Sequence, residues 1–322
     1  MSASNITMGA TNVSLWTTHI LKKFVPGLKA KLFFPDYCRP ATLPGGAGNI
    51  ARWLVPTMRV GSTTALTDGS SGSAANAITI TGVEATIADY GEWFNLTDLA
   101  KETEVSTALD AYREILEYAG AGALNTLMYN AAITATHFLH AGDTTIDGAI
   151  LAAGDYVYAR DFPVIAAFFR ARNAMGFDSL GGDFMFAMHP DAESFLVTDV
   201  TNTRLSWSEV NKHVPKGFEQ LVSNHRFIGR LNGVTALRTT IVGTVTEDIA
   251  AHQNVALADY GVGWLGLGTS GPRKPMIKYK VPGPQSTNDP LDTNCTMGWK
   301  LRTVARNLDA ANRSLVVYSD VD

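Results

Sequence analysis

Charge and long apolar runs are scarce in this sequence, and each shortage narrows the kind of protein it can encode. Charged residues make up 17% of the 322 residues, below the roughly 25% usual in soluble domains. The net charge of −4 gives no general electrostatic reason to bind nucleic acid. No apolar run approaches the roughly 18 residues of a membrane span, and the N-terminus lacks the regions of a signal peptide. With 46% hydrophobic residues, we expect a folded protein that buries a weakly charged surface against partners, although an Ala/Thr/Gly-rich globular protein fits the same composition.

Cysteine is scarce too, which argues against a fold stabilised by disulfide bonds or by a structural zinc ion. Cys38 and Cys295 stand alone and form no CxxC pair. Neither a disulfide framework nor a zinc site is therefore indicated. The expected setting is a reducing cytoplasm, or a particle built there.

Catalytic motifs are missing or out of context. GVGWLG and GLGTSG (261–271) have the glycine spacing of a dinucleotide loop, but prolines and a strand-like segment follow where that loop needs a helix. Tight turns and close strand packing explain these glycines better. His137 and His140, with Asp143 and Asp147 nearby, have a spacing that metal ligands could use, but a polar helix end explains them more simply. No nucleophile elbow, Walker motif or Cys/His signature occurs, so we predict no catalytic residue, cofactor or metal.

What the sequence does contain is a series of distinct secondary-structure blocks. The stretch ALTDGSSGSAANAITITG (65–82) could be a linker, a disordered loop or the tip of a projection. β-Patterned runs near 50–66 and 77–94 flank it, which favours one long hairpin. The apolar positions change from even to odd at Gly82, and this predicts a β-bulge there.

Helices and further strands follow in separate blocks. Apolar residues recur at three- and four-residue steps over 104–135 and predict a long helix, in which Gly120 and Gly122 mark a bend or a close contact. A second helix is expected near 162–174. FMFAM reads as a buried strand, His189-Pro190-Asp191 as a turn and helix cap, HRFIGRLNGVTALRTT as a hairpin turning at Asn-Gly, and the C-terminus as two strands around NLDAAN. In the first of these two strands Trp299 and Leu301 alternate with Lys300 and Arg302, which predicts a core face and a basic face. Segregated blocks of this kind indicate the α+β class.

Charges of opposite sign are concentrated in two segments. Residues 68–110 contain eight acids against one base, and residues 273–313 contain eight bases against three acids. Solvated faces are the usual explanation; contact between one copy's acidic hairpin and the next copy's basic strands is the alternative. On that alternative, the residues expected to meet neighbouring copies are Asp68, Glu84, Asp89, Glu92, Lys22, Lys23, Arg273, Lys274, Lys300, Arg302 and Arg306.

Four short stretches, in order, carry a resemblance to a known family. They are DYGEWFNLTD (89–98), FAMHPD (186–191), HRFIGRLNGV (225–234) and DPLDTNCTMGWK (289–300). Together with the order of arm, hairpin, long helix, mixed central domain and C-terminal strands, they resemble the major capsid protein of tailed bacteriophages, which has the Hong Kong 97-like fold. More narrowly, they are similar to the family typified by coliphage N-four.

The resemblance implies a division of nearly the whole chain. It places an N-terminal arm at 1–43, an E-loop hairpin at 44–95, a P domain with the spine helix at 96–180, an A domain at 181–268, and a return to the P domain at 269–322. The E-loop crosslink of the type member needs a lysine, but no lysine lies between Lys31 and Lys101. The shell is therefore expected to rest on noncovalent contacts or additional proteins.

The same resemblance implies a structural function and a set of partners. Copies would form hexamers and pentamers of an icosahedral head, aided by a separate scaffolding protein, a portal protein and possible decoration proteins. The shell would enclose double-stranded DNA without sequence-specific binding or a membrane, in a virion assembled in the host bacterial cytoplasm. An encapsulin-like compartment shell and an unrecognised α+β enzyme are the alternatives.

Overall fold

Two large β-sheets and one long helix organise the chain. The computed structural model describes residues 5–6, 32–44, 48–56, 80–97, 106–148, 151–198, 207, 226–246, 249–267, 275–280 and 294–321. The strands are β1 (Asn5–Ile6), β2 (Arg39–Leu43), β3 (Ile50–Pro56), β4 (Ile80–Thr86), β5 (Ala88–Thr97), β6 (Phe138–His140), β7 (Phe184–Met188), β8 (Phe227–Leu231), β9 (Val234–Arg238), β10 (Thr244–Thr246), β11 (Ala250–Leu257), β12 (Val262–Leu267), β13 (Met276–Lys280), β14 (Asn294–Asn307) and β15 (Ser314–Asp320). The α-helices are α1 (Ser106–Ala132), α2 (Asp161–Ala171) and α3 (Pro190–Thr198). This segregated mixture confirms the α+β class, and no helix in the described ranges is long and apolar enough to cross a membrane.

The first sheet is built around β14 and carries α1. Its strand order is β1-β5-β14-β12-β2, with β13 also paired to β14. The 14 residues of β14 pair with β5 along one side and with β13 and then β12 along the other. Leu116, Leu124 and Met128 of α1 are buried in one cluster with Trp299 and Leu301 of β14. The predicted long helix is confirmed, and its described range lies slightly inside the predicted bounds. Its apolar stripe is the face that covers this sheet.

The two glycines inside α1 have different surroundings. A Cβ added at Gly120 would lie 2.7 Å from Cβ of Pro275 and 3.4 Å from the ring of Trp299. Nothing lies within 4 Å of a Cβ added at Gly122. The close contact expected from the sequence is therefore made at Gly120.

Alanine at these two positions should change stability in opposite directions. We expect Gly122→Ala to raise the free energy of unfolding by about 1 kcal/mol, since alanine is the better helix former and the site is open. Gly120→Ala makes the same gain but pushes the helix away from Pro275, so we expect a net loss of roughly 1 kcal/mol. Urea unfolding of both variants measures the difference. Equal stabilisation by both would contradict the close approach of helix and sheet.

The second sheet has its own apolar core. Its order is β6-β15-β11-β7-β9-β8, with β10 also paired to β11. Phe162 and Phe169 of α2 are buried together with Phe184 and Phe186 of β7. All five residues of β7 are buried, as its unbroken apolar run predicted. At the predicted Asn-Gly turn between β8 and β9, both residues have the positive φ angles (53° and 82°) of a type I′ turn.

Two strands join a sheet other than that of the strands next to them in sequence. β12 follows β11 of the second sheet, yet it pairs with β14 and β2 in the first sheet. β15 follows β14 of the first sheet, yet it pairs with β11 and β6 in the second sheet. β14 and β15 are therefore not a hairpin. Backbone bonds from Leu308 to Gly261 and from Ala258 to Arg313 tie their connection to the start of β12 and the end of β11 instead. The predicted division into domains stays a prediction.

The described part of the glycine-rich segment that mimics a dinucleotide loop is mostly strand, since Val262–Leu267 form β12. Gly263 lies in β12, where an added Cβ would come within 3.0 Å of the Leu308 side chain. The prediction of close strand packing at this point is confirmed.

The hairpin predicted at 44–95 is shorter than the sequence pattern suggested. β3 pairs with β4 in register from Ile50↔Thr86 to Pro56↔Ile80, but β5 leaves the hairpin and pairs with β14. The predicted bulge at Gly82 is wrong, because the pairing of Leu54 with Gly82 is regular. A Cβ at Gly82 would lie 1.9 Å from Nε of Arg52, so the glycine makes room for the arginine side chain. The tip, residues 57–79, lies outside the described residues.

Candidate assembly surfaces

One face of the β3–β4 hairpin presents large aliphatic side chains to solvent. Ile50 is 58% exposed, Leu54 64% and Ile80 53%. Their cross-strand register puts all three on the same face. The opposite face is different, since Ala51 and Ala85 are buried. A two-stranded sheet is marginally stable by itself in water, so an exposed apolar face of this kind favours contact with another surface.

An ion pair crosses the middle of that apolar face. Nε of Arg52 lies 3.7 Å from Oε1 of Glu84, and both side chains are more than half exposed. Glu84, predicted to contact a neighbouring copy, is thus already paired within its own hairpin. An exposed pair of this kind contributes little to stability, but it orients the charges among the three aliphatic side chains.

Asp89 is likewise paired inside its own chain. Lys300 Nζ lies 2.9 Å from its Oδ2, and Arg302 Nε donates to its Oδ1 at 2.8 Å. The hydrogen bond from Lys300, with that from Arg302, lowers the pKa of the Asp89 carboxyl. This pairing follows from the register of β5 against β14, which aligns Asp89 with Arg302. The acidic and basic segments that the sequence predicted to meet between copies therefore meet at this point within one subunit.

The other predicted contact residues divide into two groups. Glu92 and Arg306 are exposed on the first sheet, and neither forms an ion pair with any residue that the structure describes. The remaining residues lie outside the described ranges; they are Lys22, Lys23, Asp68, Arg273 and Lys274. Their roles at subunit contacts stay predictions.

An exposed tryptophan on the first sheet was not anticipated from the sequence. Trp93 of β5 is 53% exposed and pairs with Gly298 of β14. A Cβ at Gly298 would lie 2.6 Å from Cβ of Trp93, so the glycine makes room for the indole. Lys278 of β13 pairs with the same glycine on its other side. Only the strand order shows that Gly298 lies between Trp93 and Lys278.

The histidines considered as metal ligands are held by different partners. Nδ1 of His137 lies 2.5 Å from Oδ2 of Asp147, and the ring packs edge-on against Phe168. The ring of His140 is buried against Phe138 and Tyr318 instead. The turn predicted at His189–Asp191 is present as the start of α3, where the N–H of Asp191 donates to Nδ1 of His189.

Comparison with solved structures identifies the fold. No known family model and no curated protein sequence matches the chain. The capsid of Ralstonia phage GP4 is similar over 100% of this chain and 99% of its own, at 12% identity and a TM-score of 0.67. The cyanophage Pam1 capsid covers 98% of both chains, at 9% identity and a TM-score of 0.66. The head of Helicobacter pylori bacteriophage KHP40 covers 99% and 98%, at 11% identity and a TM-score of 0.62. The chain therefore has the fold of phage capsid proteins, and the predicted Hong Kong 97-like class is confirmed.

Proposed function

We propose that this protein is the major capsid protein of a tailed double-stranded DNA phage. The observation that carries the proposal is the extent of the structural similarity: phage capsid chains match it from end to end, with almost none of either chain left over. A structural protein of the phage head needs no catalytic centre. The function thus accounts for an architecture whose most distinctive surface is an exposed apolar hairpin.

The hairpin supplies the proposed contact between copies. Its exposed aliphatic face, Ile50, Leu54 and Ile80, would lie on a neighbouring subunit and remove that apolar area from water. Such a contact is heterologous, since the hairpin of one copy meets a different surface on the next, and heterologous contacts propagate into closed rings and shells. No lysine lies between Lys31 and Lys101, so the hairpin would contact its neighbour without a covalent lysine crosslink.

The two alternative functions have less support. The structures cited above are phage heads and capsids, which favours a phage shell over an encapsulin-like compartment. They also favour a structural protein over an α+β enzyme. Electron microscopy of the purified protein tests the proposal. Large shells support it, small shells filled with protein would favour the compartment, and no shells under any assembly condition would favour the enzyme.

The partners follow from the same proposal. Copies would associate as hexamers and pentamers, with a portal protein, possible decoration proteins and DNA enclosed without sequence-specific contacts. Assembly would take place in the host bacterial cytoplasm and end in the virion. The closer likeness to the coliphage N-four family rests on the four sequence stretches.

We infer that scaffolding is supplied by a separate protein, as the resemblance to major capsid proteins of tailed phages implies. Expression of this chain alone should give irregular or no shells, and co-expression with the scaffold should give uniform ones. Uniform shells from the chain alone would contradict the separate scaffold.

Arg306 offers the cleanest test of charge pairing between copies. Lys300 and Arg302 already bind Asp89, so reversing their charge would also disturb the subunit. Arg306→Glu should lower particle yield while the circular dichroism and thermal midpoint of the unassembled subunit stay unchanged. The same yield from Arg306→Glu and the parent protein would refute a role for this charge in assembly.

A further inference from the structure

The second sheet contains a buried histidine that no described residue hydrogen-bonds through its ring. His252 lies on β11, aligned with Thr244 of β10 on one side and Ser319 of β15 on the other. It is 2% exposed, and neither Nδ1 nor Nε2 has a hydrogen-bond partner among the residues that the structure describes. A buried polar group left unsatisfied is costly, and a bound water molecule or ion is a recognised explanation for one. The surroundings of this ring therefore need an explanation beyond packing.

Two further ligand-type side chains converge on that ring. His189 follows β7, and Asp191 lies in the first turn of α3. Oδ2 of Asp191 is 3.7 Å from Nε2 of His252 and 3.0 Å from Nδ1 of His189. One ligand atom from each of the three side chains lies within 4.8 Å of the other two. Three elements that are remote in sequence thus bring two imidazoles and one carboxylate to one point.

We propose that His189, Asp191 and His252 bind a divalent transition-metal ion of the zinc type. Imidazole nitrogens and a carboxylate are ligands that zinc takes at about 2.0–2.2 Å, which puts ligand atoms about 3.4 Å apart in a tetrahedral site. The 3.7 Å between Nε2 of His252 and Oδ2 of Asp191 is close to that value, and His189, whose Nδ1 lies 3.0 Å from the same oxygen before its ring turns, is near enough to complete the set. The Asp191 side chain is 59% exposed, so water can reach the ion and fill the remaining coordination position.

The proton is the competing occupant of this cluster. Nδ1 of His189 accepts the N–H of Asp191 at 3.3 Å, while the same nitrogen lies 3.0 Å from a carboxylate oxygen. Nδ1 has one lone pair, so its approach to the carboxylate oxygen needs a proton or a metal ion on that nitrogen, and the contact with the N–H of Asp191 is then given up. A proton shared by His189 and Asp191 would leave both ring nitrogens of His252 without a hydrogen bond to any described residue. The convergence of two imidazoles and one carboxylate on one point therefore favours a metal ion.

Metal binding requires one side-chain rotation. The rings of His189 and His252 are stacked, with centroids 4.2 Å apart and planes 20° apart. Lone pairs that lie in nearly parallel ring planes do not converge, so one ring must turn. His189 is the ring that turns, because its side chain is 23% exposed whereas that of His252 is buried, and its Cβ–Cγ torsion is a broad one.

A metal ion in this position would fasten α3 to the second sheet. The site is complete within one subunit and does not depend on the proposed capsid function. Occupancy should raise the thermal midpoint of the unassembled subunit, and the rise should grow with the logarithm of the free metal concentration once it exceeds the dissociation constant.

Metal uptake by the full chain, purified without a histidine tag and stripped with EDTA, tests the proposal. We expect binding of one Zn²⁺ per chain by calorimetry, and Co²⁺ should show the visible absorption of four- or five-coordinate cobalt. Asp191→Asn replaces an exposed group, so the fold should be kept. It should weaken metal binding by more than roughly 10- to 100-fold, which is the cost of losing a residue that only orients a metal ligand. His252→Gln should do the same. His137→Gln, which removes a histidine outside the cluster, should bind like the parent protein.

Two results would overturn the proposal. One is the absence of Zn²⁺ and Co²⁺ binding by the folded parent chain, which would assign the cluster to a proton or a water molecule. The other is binding that Asp191→Asn leaves unchanged, which would place the metal elsewhere. If His252→Gln does not fold, Asp191→Asn and His189→Gln still decide between these outcomes.

Discussion

Glutamate in place of Leu54 should abolish shell assembly and leave the isolated subunit folded. Leu54 is 64% exposed in the subunit, so replacing it should alter the free energy of unfolding by no more than about 0.5 kcal/mol. In the assembled shell the same side chain would be buried against a neighbouring copy. There the substitution removes a buried leucine and adds an unpaired charge.

The expected size of this effect comes from repetition. Burial of a leucine contributes about 1.5–3 kcal/mol, and a loss near the upper end weakens one contact roughly 100-fold. Every copy in the shell carries the same substitution, so the losses accumulate over all hairpin contacts. Particle yield in sucrose gradients should therefore fall below detection.

Met175→Glu is the matched control for Leu54→Glu. Met175 is also 64% exposed, but it lies on the turn after α2 and not on the hairpin. Its replacement should leave both subunit stability and particle yield close to those of the parent. Normal particles from Leu54→Glu would contradict the role of the hairpin face, and equal loss from both variants would show that any added charge prevents assembly.

Phe186→Ala should destabilise the subunit by about 3–5 kcal/mol, the usual cost of truncating a fully buried phenylalanine. Phe186 is completely buried at the centre of the second core, where its ring meets that of Phe162 edge-on at 5.6 Å. The large effect follows because the second sheet and α2 cannot easily close over the cavity. A total stability of 5–15 kcal/mol is typical of a folded domain, so a loss of this size is a large share of the total.

Chemical denaturation of the unassembled subunit measures this effect. Met175→Ala, at an exposed position, should stay within about 0.5 kcal/mol of the parent protein. A loss below about 1 kcal/mol for Phe186→Ala would mean that the second core packs differently from the structure. Any loss of assembly by this variant should follow the loss of folded subunit. Leu54→Glu, in contrast, should fail to assemble although its subunit is folded.

Local patterns in the sequence predicted the individual elements well. The three- and four-residue steps of α1, the apolar run of β7 and the Asn-Gly turn after β8 each depend on neighbours close in sequence. The alternation along β14 also held, with Trp299 and Leu301 buried and Arg302 exposed. Such features follow from the periodicity of helices and strands.

Features that depend on strand order could not be predicted in the same way. Nothing local in β12 or β15 shows which sheet each strand joins. The pairing of Asp89 with Lys300 and Arg302 spans more than 200 residues, and only the register of β5 against β14 makes it intramolecular. Gly82 was interpreted as a bulge because the sequence does not show that it pairs with Leu54 and that the Arg52 side chain lies over it.

The cluster around His252 was missed for the same reason. His189 and Asp191 were interpreted as a turn and helix cap, which they also are. His252 stands in AHQNVAL with no spacing that links it to them. Only the antiparallel pairing of β7 with β11 brings the three side chains together.

Cryo-electron microscopy of particles that contain this protein tests the central claim most directly. The proposed function predicts icosahedral shells in which every subunit shows this fold and the face bearing Ile50, Leu54 and Ile80 lies against a neighbouring copy. A protein that stays monomeric in the presence of its scaffold, or a shell in which that face remains open to solvent, would contradict the account.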